Sequence, residues 1–378
     1  MRKFIIVVSF FLLASGLYLA NTMVNSKAPT AFAKYKDSNT YSGTIYVSGM
    51  GGHFAVAEVE INPSENLPIK IINLDRIEIG DKNTHPTHDP RIDVNDRTRL
   101  YWSTYKIDKE SKDKVIHVGV SDLKTGNVIK DQPVKIPERA EWTTAMYCAS
   151  GQTKKSYIPM TMSNEAYIDF YDKETLDLKN RVYLDSLGYK DNYIFFHGTN
   201  SADMKTFALT INKTKPWEKP DAPGAATGVI DMLLLDLPAL EQGKVKVIAK
   251  NTITGSPEKT KTFRQSFTPD GKYLLQSAAD RFYLLNGDDM TVVDEEMMID
   301  SENHEAISTP DGKYAILTLR KNVPNPEGKD IKDGMLQLYD IEAKALVGKP
   351  TSTCYACHKD AEVEGNAILC GADANWNM

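Results

Sequence analysis

Two cysteines and one histidine near the end of the sequence have the types and spacing needed for redox chemistry. Cys354 and Cys357 are separated by two residues, and His358 follows at once. In this C-x-x-C-H pattern the two thiols can add to the vinyl groups of a haem, and the imidazole can bind its iron. The pattern therefore predicts a covalently attached haem c with His358 as the proximal iron ligand.

Two other uses of these cysteines stay open. The tail can be clamped by a structural disulfide, or by a zinc ion that takes Cys370 as a further thiolate. The chain has four cysteines and no second closely spaced ligand pair of the kind that zinc fingers use, which favours haem. Cys148 and Cys370 remain after haem attachment, and they can form a disulfide only if both reach the same part of the fold.

The first residues have the order of a secretory signal peptide. Arg2 and Lys3 precede an apolar run at residues 4–13, and the small-residue sequence Ala31-Phe32-Ala33 follows. We expect cleavage after this sequence and export to the periplasm or the extracellular space, a setting that suits covalent haem. An uncleaved anchor is the alternative, because residues 4–24 are just long enough to cross a bilayer. No later stretch is long and apolar enough, so we expect no membrane insertion of the mature chain.

The composition is that of an ordinary globular protein with a mildly acidic surface. Hydrophobic residues make up 41% of the chain and charged residues 25%, and the formal net charge is −6. An acidic balance of this size argues against nucleic acid as a partner.

A short turn sequence occurs twice and indicates repeated β-structure. Residues 268–273 and 309–314 both read Thr-Pro-Asp-Gly-Lys-Tyr, and an apolar strand candidate follows each copy. Pro and Gly favour a tight turn at this place. Strand candidates with Asp at or just after their ends recur at intervals of 50 to 64 residues, at Asp122, Asp172, Asp236, Asp288 and Asp340. Several short strands in a repeat of about fifty residues are typical of a β-propeller.

We predict an all-β fold, a seven-bladed β-propeller with a short C-terminal haem-binding segment packed on it. Residues 34–378 divided by the repeat length give about seven blades. The seventh would combine a strand at residues 367–370 with one at residues 35–41, which removes the open sheet edge. Six or eight blades, and a β-sandwich, are the alternatives. Six blades can be placed, beginning near Gly43, Leu100, Ser156, Thr206, Tyr273 and Tyr314.

The repeated turns, and strands such as residues 336–340, resemble the YVTN/WD40-like propeller superfamily. This resemblance covers most of the mature chain and implies blades, but it implies no chemistry. The motif from Cys354 to His358 resembles that of c-type cytochromes and is the more specific of the two. The 20 residues after His358 are too few for a cytochrome domain. We therefore expect the haem to lie against the propeller and to take its apolar walls from the blades.

Three histidines are candidates for the second axial ligand of the haem, or for a further metal such as copper. His197 and His304 each precede a strand residue by ten positions, as His358 does, and His88 precedes one by thirteen. These offsets place the histidines in loops ahead of an inner strand of each blade. Such loops meet at one end of a propeller channel, so we expect these side chains at the same end. Imidazole suits haem iron, copper and zinc. Met146, in the matching loop of the third blade, is the remaining candidate.

Three further residues are interpreted from their surroundings. Arg264, in a loop of the fifth blade, can pair with a haem propionate or an anionic substrate. His85 shares a loop with His88, and His117 lies inside an alternating strand, where a structural role is expected.

These features predict an exported haem c β-propeller that transfers electrons, alone or as a subunit of an oxidoreductase. One haem moves one electron at a time, so we expect a redox partner protein. The chain would divide into a signal peptide (1–33), a propeller (34–350) and a haem attachment segment with a closing strand (351–378). Two other functions stay open: an interaction or sensory propeller with a structural haem, and a propeller whose tail is clamped by zinc or disulfides without haem. The substrate and the oligomeric state do not follow from the sequence.

Overall fold

The chain folds into six small sheets. The computed structural model describes residues 40–140, 147–162, 165–219, 222–324, 328, 330–353 and 369–377. Over these residues it has 24 β-strands in six four-stranded antiparallel sheets. In each sheet the strands lie side by side in an up-and-down order, as in one blade of a β-propeller. The prediction of an all-β propeller is confirmed.

The strands are numbered in chain order, and each blade extends from an innermost to an outermost strand. In that order the first three blades are β24 (Ala372–Trp376), β1 (Tyr41–Ser48), β2 (His53–Ile61), β3 (Ile69–Glu78); β4 (Thr87–Ile92), β5 (Arg99–Thr104), β6 (Val115–Asp122), β7 (Val128–Lys135); and β8 (Tyr147–Gln152), β9 (Ser156–Thr161), β10 (Tyr167–Asp172), β11 (Leu178–Tyr183). The other three are β12 (Tyr193–Asn200), β13 (Thr206–Thr214), β14 (Ala226–Asp236), β15 (Val247–Thr254); β16 (Gln265–Phe267), β17 (Tyr273–Ala278), β18 (Arg281–Asn286), β19 (Val292–Met297); and β20 (Ser301–Ser308), β21 (Tyr314–Pro324), β22 (Asp330–Asp340), β23 (Ala345–Ser352).

The six innermost strands form a closed ring around a central channel. Strand β24 contacts β4, and the contacts continue through β8, β12, β16 and β20 back to β24. The last strand of the chain is thus the innermost strand of the first blade. It pairs with β1 over five residues, from Val47 opposite Ala372 to Gly43 opposite Trp376. This pairing covers the edge of β1 that would otherwise be open.

The propeller has six blades rather than the predicted seven. The six predicted starting residues all lie in the second strands of the observed blades. The C-terminal strand completes the first blade instead of adding another, and it begins at Ala372, five residues later than predicted. Part of the extra length that suggested a seventh blade lies in the long connection between β13 and β14.

Neighbouring blades are held together by apolar cores between their faces. Ile45 and Val59 of the first blade, for example, pack with Ile316 and Leu336 of the sixth. Similar clusters lie at the other blade junctions within the described residues. Burying one such side chain stabilises the fold by about 1.5–3 kcal/mol. The outermost strands β7 and β15 alternate half-buried and exposed residues, as strands with one packed face do.

The repeated Thr-Pro-Asp-Gly sequence is the turn between the innermost and the second strand in two blades. The hydroxyl oxygen of Thr309 accepts a hydrogen bond from the amide of Tyr314 (3.1 Å), and Gly312 has a φ of 72°. Thr268 accepts the equivalent bond from Tyr273 (3.0 Å). The turn therefore fixes where the second strand of each blade begins.

Within the described residues, helical structure is limited to short connections. The helix α1 (Leu237–Glu241) follows β14, and two 3-10 turns span Glu138–Ala140 and Leu184–Leu187. In the part of the chain that the structure describes, no helix has the length and apolar character required to cross a membrane.

Candidate functional site

One end of the channel gathers the three histidine candidates and a thiol. His88 lies in β4, Cys148 in β8, His197 in β12 and His304 in β20, and all four side chains are buried. His88, Cys148 and His304 line one cavity, and His197 contacts Cys148. The three histidines thus lie near one another at this end of the channel, and their role as ligands stays a prediction.

At three of these positions the innermost strand has a β-bulge. The pairing with the second strand skips His88, Cys148 and His304, so that each stands between two regularly paired neighbours. A bulge twists the strand locally and re-aims its side chain, and bulges are frequent next to functional sites. The same irregularity in three blades is what directs these groups into the channel.

The prediction that these histidines lie in loops ahead of the innermost strands is wrong. The strands from which the ten-residue offset was counted are the second strands of the blades, and the histidines lie on the innermost strands themselves. Four other predicted site residues, Met146, Cys354, Cys357 and His358, lie outside the described residues.

A cavity of about 520 Å³ opens at this end of the channel. This volume is within the range of about 300–1,000 Å³ that is usual for sites of cofactors and small molecules. Its walls include the rings of Tyr105 and Phe263 as well as His88, His304 and the Cys148 thiol. Three carboxylates and four cations also line it, the cations being Lys259, Lys261, Arg264 and Arg320.

His304 is a neutral imidazole held by two neighbours. Its Nε2 is hydrogen-bonded to the carboxylate of Glu302, and its ring stacks on Phe263 with centroids 4.2 Å apart. Burial, and then the nearby Arg320 guanidinium, lower the pKa of His304 to about 3. The hydrogen bond from His304 lowers the pKa of Glu302 to about 2. A neutral ring that donates through Nε2 keeps its lone pair on Nδ1, which makes no hydrogen bond with any described residue.

His88 is held by an arginine. The Nη2 of Arg264 donates to Nδ1 of His88 over 2.7 Å, and the His88 ring lies 4.0 Å from that of Tyr105. Burial, and then Arg264, lower the pKa of His88 well below its ordinary value. Arg264 is 1% exposed. Its Nε lies 3.2 Å from Asp89 Oδ1 but makes no hydrogen bond among the described residues.

His197 lies behind the cavity wall and uses both ring nitrogens. Its Nε2 is 3.0 Å from the Cys148 sulfur, and its Nδ1 is 3.2 Å from the Thr262 carbonyl oxygen. Burial raises the pKa of Cys148 to about 12, so that the thiol stays protonated. His197 is therefore less suited than His304 to bind a group in the cavity.

Arg320, which the sequence did not single out, organises the rim of the cavity. Its Nε donates to the carbonyl oxygen of Leu369 (2.7 Å), and its Nη2 lies 3.0 Å from the Cys370 sulfur. Cys370 and Cys148 both reach this channel end, as a disulfide would require, but the structure keeps them as two buried thiols. Gly334, the strand partner of Arg320, accepts a hydrogen bond from the amide of Thr353 (2.9 Å).

A buried ion network lies on the innermost strands next to His88 and His304. Arg91 donates to Glu305 (3.1 Å) and lies 3.4 Å from Asp89. The amide of Ala372 in the closing strand donates to Glu305 over 2.7 Å. Burial raises the pKa of Glu305, and the charge of Arg91 opposes this. The network ties the closing strand to the same channel end as the histidines.

The channel-end side chains do not form a chelating set of their own. Among the described residues, a group of three metal-ligating atoms close enough to share an ion occurs only at His85, His117 and Asp131. A second metal on His88, His197 and His304 therefore stays a prediction without a preformed site.

The comparisons with known proteins give information on the fold alone. No family model and no curated protein matches the chain. Among solved structures, a chain in the crystal structure of a nidogen/laminin complex is similar, with a TM-score of 0.53 and 10% sequence identity, over 89% of this chain and 98% of that one. At this identity the likeness shows a β-propeller and carries no function.

Proposed function

We propose that this protein is an exported haem c β-propeller that transfers electrons, with haem attached at Cys354 and Cys357 and placed over the channel-end cavity. The observation that carries this proposal is the position of the two described residues that flank the motif. Thr353 precedes the motif, and its amide donates to the carbonyl of Gly334, which pairs with Arg320 across the sheet. Leu369 follows the motif, and its carbonyl oxygen accepts a hydrogen bond from Arg320. Both flanks thus start from the rim of the cavity.

The length of the chain keeps the attached group near this rim. Cys354 follows Thr353 directly, and a chain spans at most about 3.6 Å per residue. His358, five residues after Thr353, can therefore lie no more than about 18 Å from it. A haem on this motif would therefore be within reach of the cavity.

The walls of the cavity have the chemistry that a haem requires. Tyr105 and Phe263 offer flat apolar surfaces, and Arg264 and Arg320 offer guanidinium groups that can pair with the two propionates. The buried Nε of Arg264 still lacks a hydrogen-bond partner among the described residues. The neutral imidazoles fit as well, because a protonated ring cannot bind iron.

Among the candidate axial ligands, the geometry favours His304. Its Nε2 donates to Glu302, which leaves Nδ1 for the iron, and a histidine that donates its other nitrogen to a carboxylate is the usual arrangement at metal sites. His88 would first have to lose its bond from Arg264, and His197 is engaged at both nitrogens. His304 is therefore the proposed distal ligand, and His88 is the reserve.

The bound haem would supply one-electron transfer, with a potential that depends on its axial ligands and on its exposure. The propeller would position it, exclude water from one face and neutralise its propionates. Since one haem carries one electron, the protein would act with a redox partner protein in the periplasm or outside the cell, alone or as an oxidoreductase subunit.

The test is to produce the full chain in a host that attaches haem c. Haem-dependent peroxidase staining should survive denaturing electrophoresis, and the Cys354→Ser/Cys357→Ser variant should lose it. His304→Ala should keep the haem but change a six-coordinate low-spin spectrum into a high-spin one, whereas the matched variant His197→Ala should leave the spectrum unchanged.

Three results would overturn parts of the proposal. A mature chain without haem from a competent host would remove the haem, and bound zinc that is lost in the Cys354→Ser/Cys357→Ser variant would instead support a zinc-clamped tail. Unchanged spectra in both His304→Ala and His88→Ala would remove the axial assignment. A haem that exchanges no electrons with any redox mediator would favour the sensory or interaction module.

A further inference from the structure

A group of metal-ligating side chains on the second blade lies outside the lining of the cavity. His85 precedes β4, His117 lies in β6 and Asp131 lies in β7. Each offers one ligand atom, and these atoms all lie within 4.8 Å of one another. The sequence suggested only a structural role for His117 and did not connect it with Asp131. None of the three lines the channel-end cavity, so the group is independent of the proposed haem.

We propose that His85, His117 and Asp131 bind one divalent transition-metal ion of the zinc class. The ligand atoms would be His85 Nε2, His117 Nδ1 and a carboxylate oxygen of Asp131. The imidazole nitrogens already lie 3.1 Å and 2.8 Å from the two carboxylate oxygens. Zinc–ligand distances of about 2.0–2.2 Å place the ligand atoms of a tetrahedral site about 3.3 Å apart. Both nitrogen–oxygen distances are therefore within about half an ångström of the spacing in a zinc site, and the two imidazole nitrogens lie within 4.8 Å of each other.

Both imidazoles have a partner on the nitrogen that faces away from the proposed ion. His117 Nε2 lies 3.4 Å from an oxygen of Asp108, and His85 Nδ1 lies 2.9 Å from the hydroxyl of Thr84. That hydroxyl in turn lies 3.2 Å from Asp81 Oδ2. Histidines that bind metals almost always engage their other nitrogen in this way, since the contact fixes the ring and its tautomer.

The backbone holds the three ligands on one side of the blade. His117 and Asp131 lie on adjacent antiparallel strands, with Gly119 directly opposite Asp131, so the two side chains are diagonal neighbours on one face. The His85 ring packs edge-on against Trp102, with centroids 5.9 Å apart. Gly80 lies directly against this ring, because a Cβ there would be 2.3 Å from His85 Nδ1.

The donor set indicates the class of ion. Two imidazoles and a carboxylate suit zinc and its first-row neighbours, whereas calcium and magnesium prefer oxygen ligands alone. The Asp131 side chain is 33% exposed, so an ion can enter from solvent. Three protein ligands leave a fourth position for water, as in zinc sites that exchange or act on a ligand.

The experiment titrates full-length protein, first treated with a chelator, with Zn²⁺ and with Co²⁺, whose visible spectrum reports its coordination. One ion should bind per chain in addition to any haem iron, and Co²⁺ should give the spectrum of a four- or five-coordinate nitrogen and oxygen site. His85→Gln, His117→Gln and Asp131→Asn should each abolish this binding. Asp108→Asn should weaken it about 10- to 100-fold, the usual effect of losing an outer partner.

Two matched variants test whether metal binding is specific to this group of three side chains. His53→Gln removes a buried histidine of the first blade, and His304→Ala removes the proposed haem ligand, and both should bind Zn²⁺ as the unaltered protein does. Absence of Zn²⁺ and Co²⁺ binding at millimolar concentration in folded protein would overturn the proposal and leave a hydrogen-bonded structural cluster. Binding that persists in all three ligand variants would overturn it too.

Discussion

Removal of residues 372–378 should destabilise the whole propeller, because it deletes the innermost strand of the first blade. Strand β24 pairs with β1 over five residues. At a net value of about 1 kcal/mol for each hydrogen bond, the lost ladder alone amounts to about 5 kcal/mol. Two further bonds are lost from buried groups, between the amide of Ala372 and Glu305 and between the amide of Ile92 and Asp373. The total is comparable to the whole stability of a typical domain, about 5–15 kcal/mol.

Equilibrium unfolding in urea measures this effect. The shortened chain should be unfolded or aggregated at 25 °C, whereas a control that lacks only residue 378 should unfold like the full chain. Asp373→Ala gives a graded version, since it keeps the strand but removes the carboxylate that accepts from the amides of Ile92 and Ala374, and it should lower the free energy of unfolding by about 1–3 kcal/mol. A shortened chain that unfolds cooperatively at the same urea concentration as the full chain would refute the reasoning.

Two further predictions concern the blades themselves. Gly119→Ala should lower the free energy of unfolding by about 1–3 kcal/mol, because the new Cβ would lie 2.1 Å from the Trp102 ring; an unchanged thermal midpoint would contradict it. Arg181→Met should lower the free energy of unfolding at pH 7 by about 3–5 kcal/mol, because it leaves the buried Asp169 carboxylate without the guanidinium that now lies 2.7 Å away. Burial already raises the pKa of Asp169 above its ordinary value, and loss of Arg181 raises it further. A carboxyl with a raised pKa takes up a proton on folding, so the deficit measured by urea unfolding should shrink as the pH falls from 7 towards 4; a deficit that grows would contradict this sign.

The sequence predicted the repeating architecture well because its local signals coincide with the strand boundaries. The turns beginning at Thr268 and Thr309 use their side-chain hydroxyls to start the second strand, so the repeated letters correspond to repeated hydrogen bonds. The predicted number of blades was wrong because the blade count depends on which strand the C-terminal strand pairs with. The pairing joins residues that are far apart in the chain, such as Ile45 and Ala374, and no local sequence pattern predicts it.

The candidate site was only partly predictable for a similar reason. His88 and His304 could be grouped by their spacing, but their aim into the channel depends on β-bulges, which leave no signal in this sequence. Nothing in the sequence distinguishes Arg320 from other residues near the end of a strand. Its role at the rim depends on its contact with Leu369, which only the folded structure shows. The link between His117 and Asp131 depends on strand register, which the pattern of β6 alone does not fix.

The position of β24 sets the order in which the molecule can be completed. During synthesis the first blade emerges with three strands and must wait for its fourth until the other five blades have been made. Over that interval the inner edge of β1 presents unpaired amides and carbonyls, which are prone to pair with another chain. The risk of intermolecular pairing is therefore greatest at β1, the earliest strand of the ring, and it ends when β24 pairs with this strand.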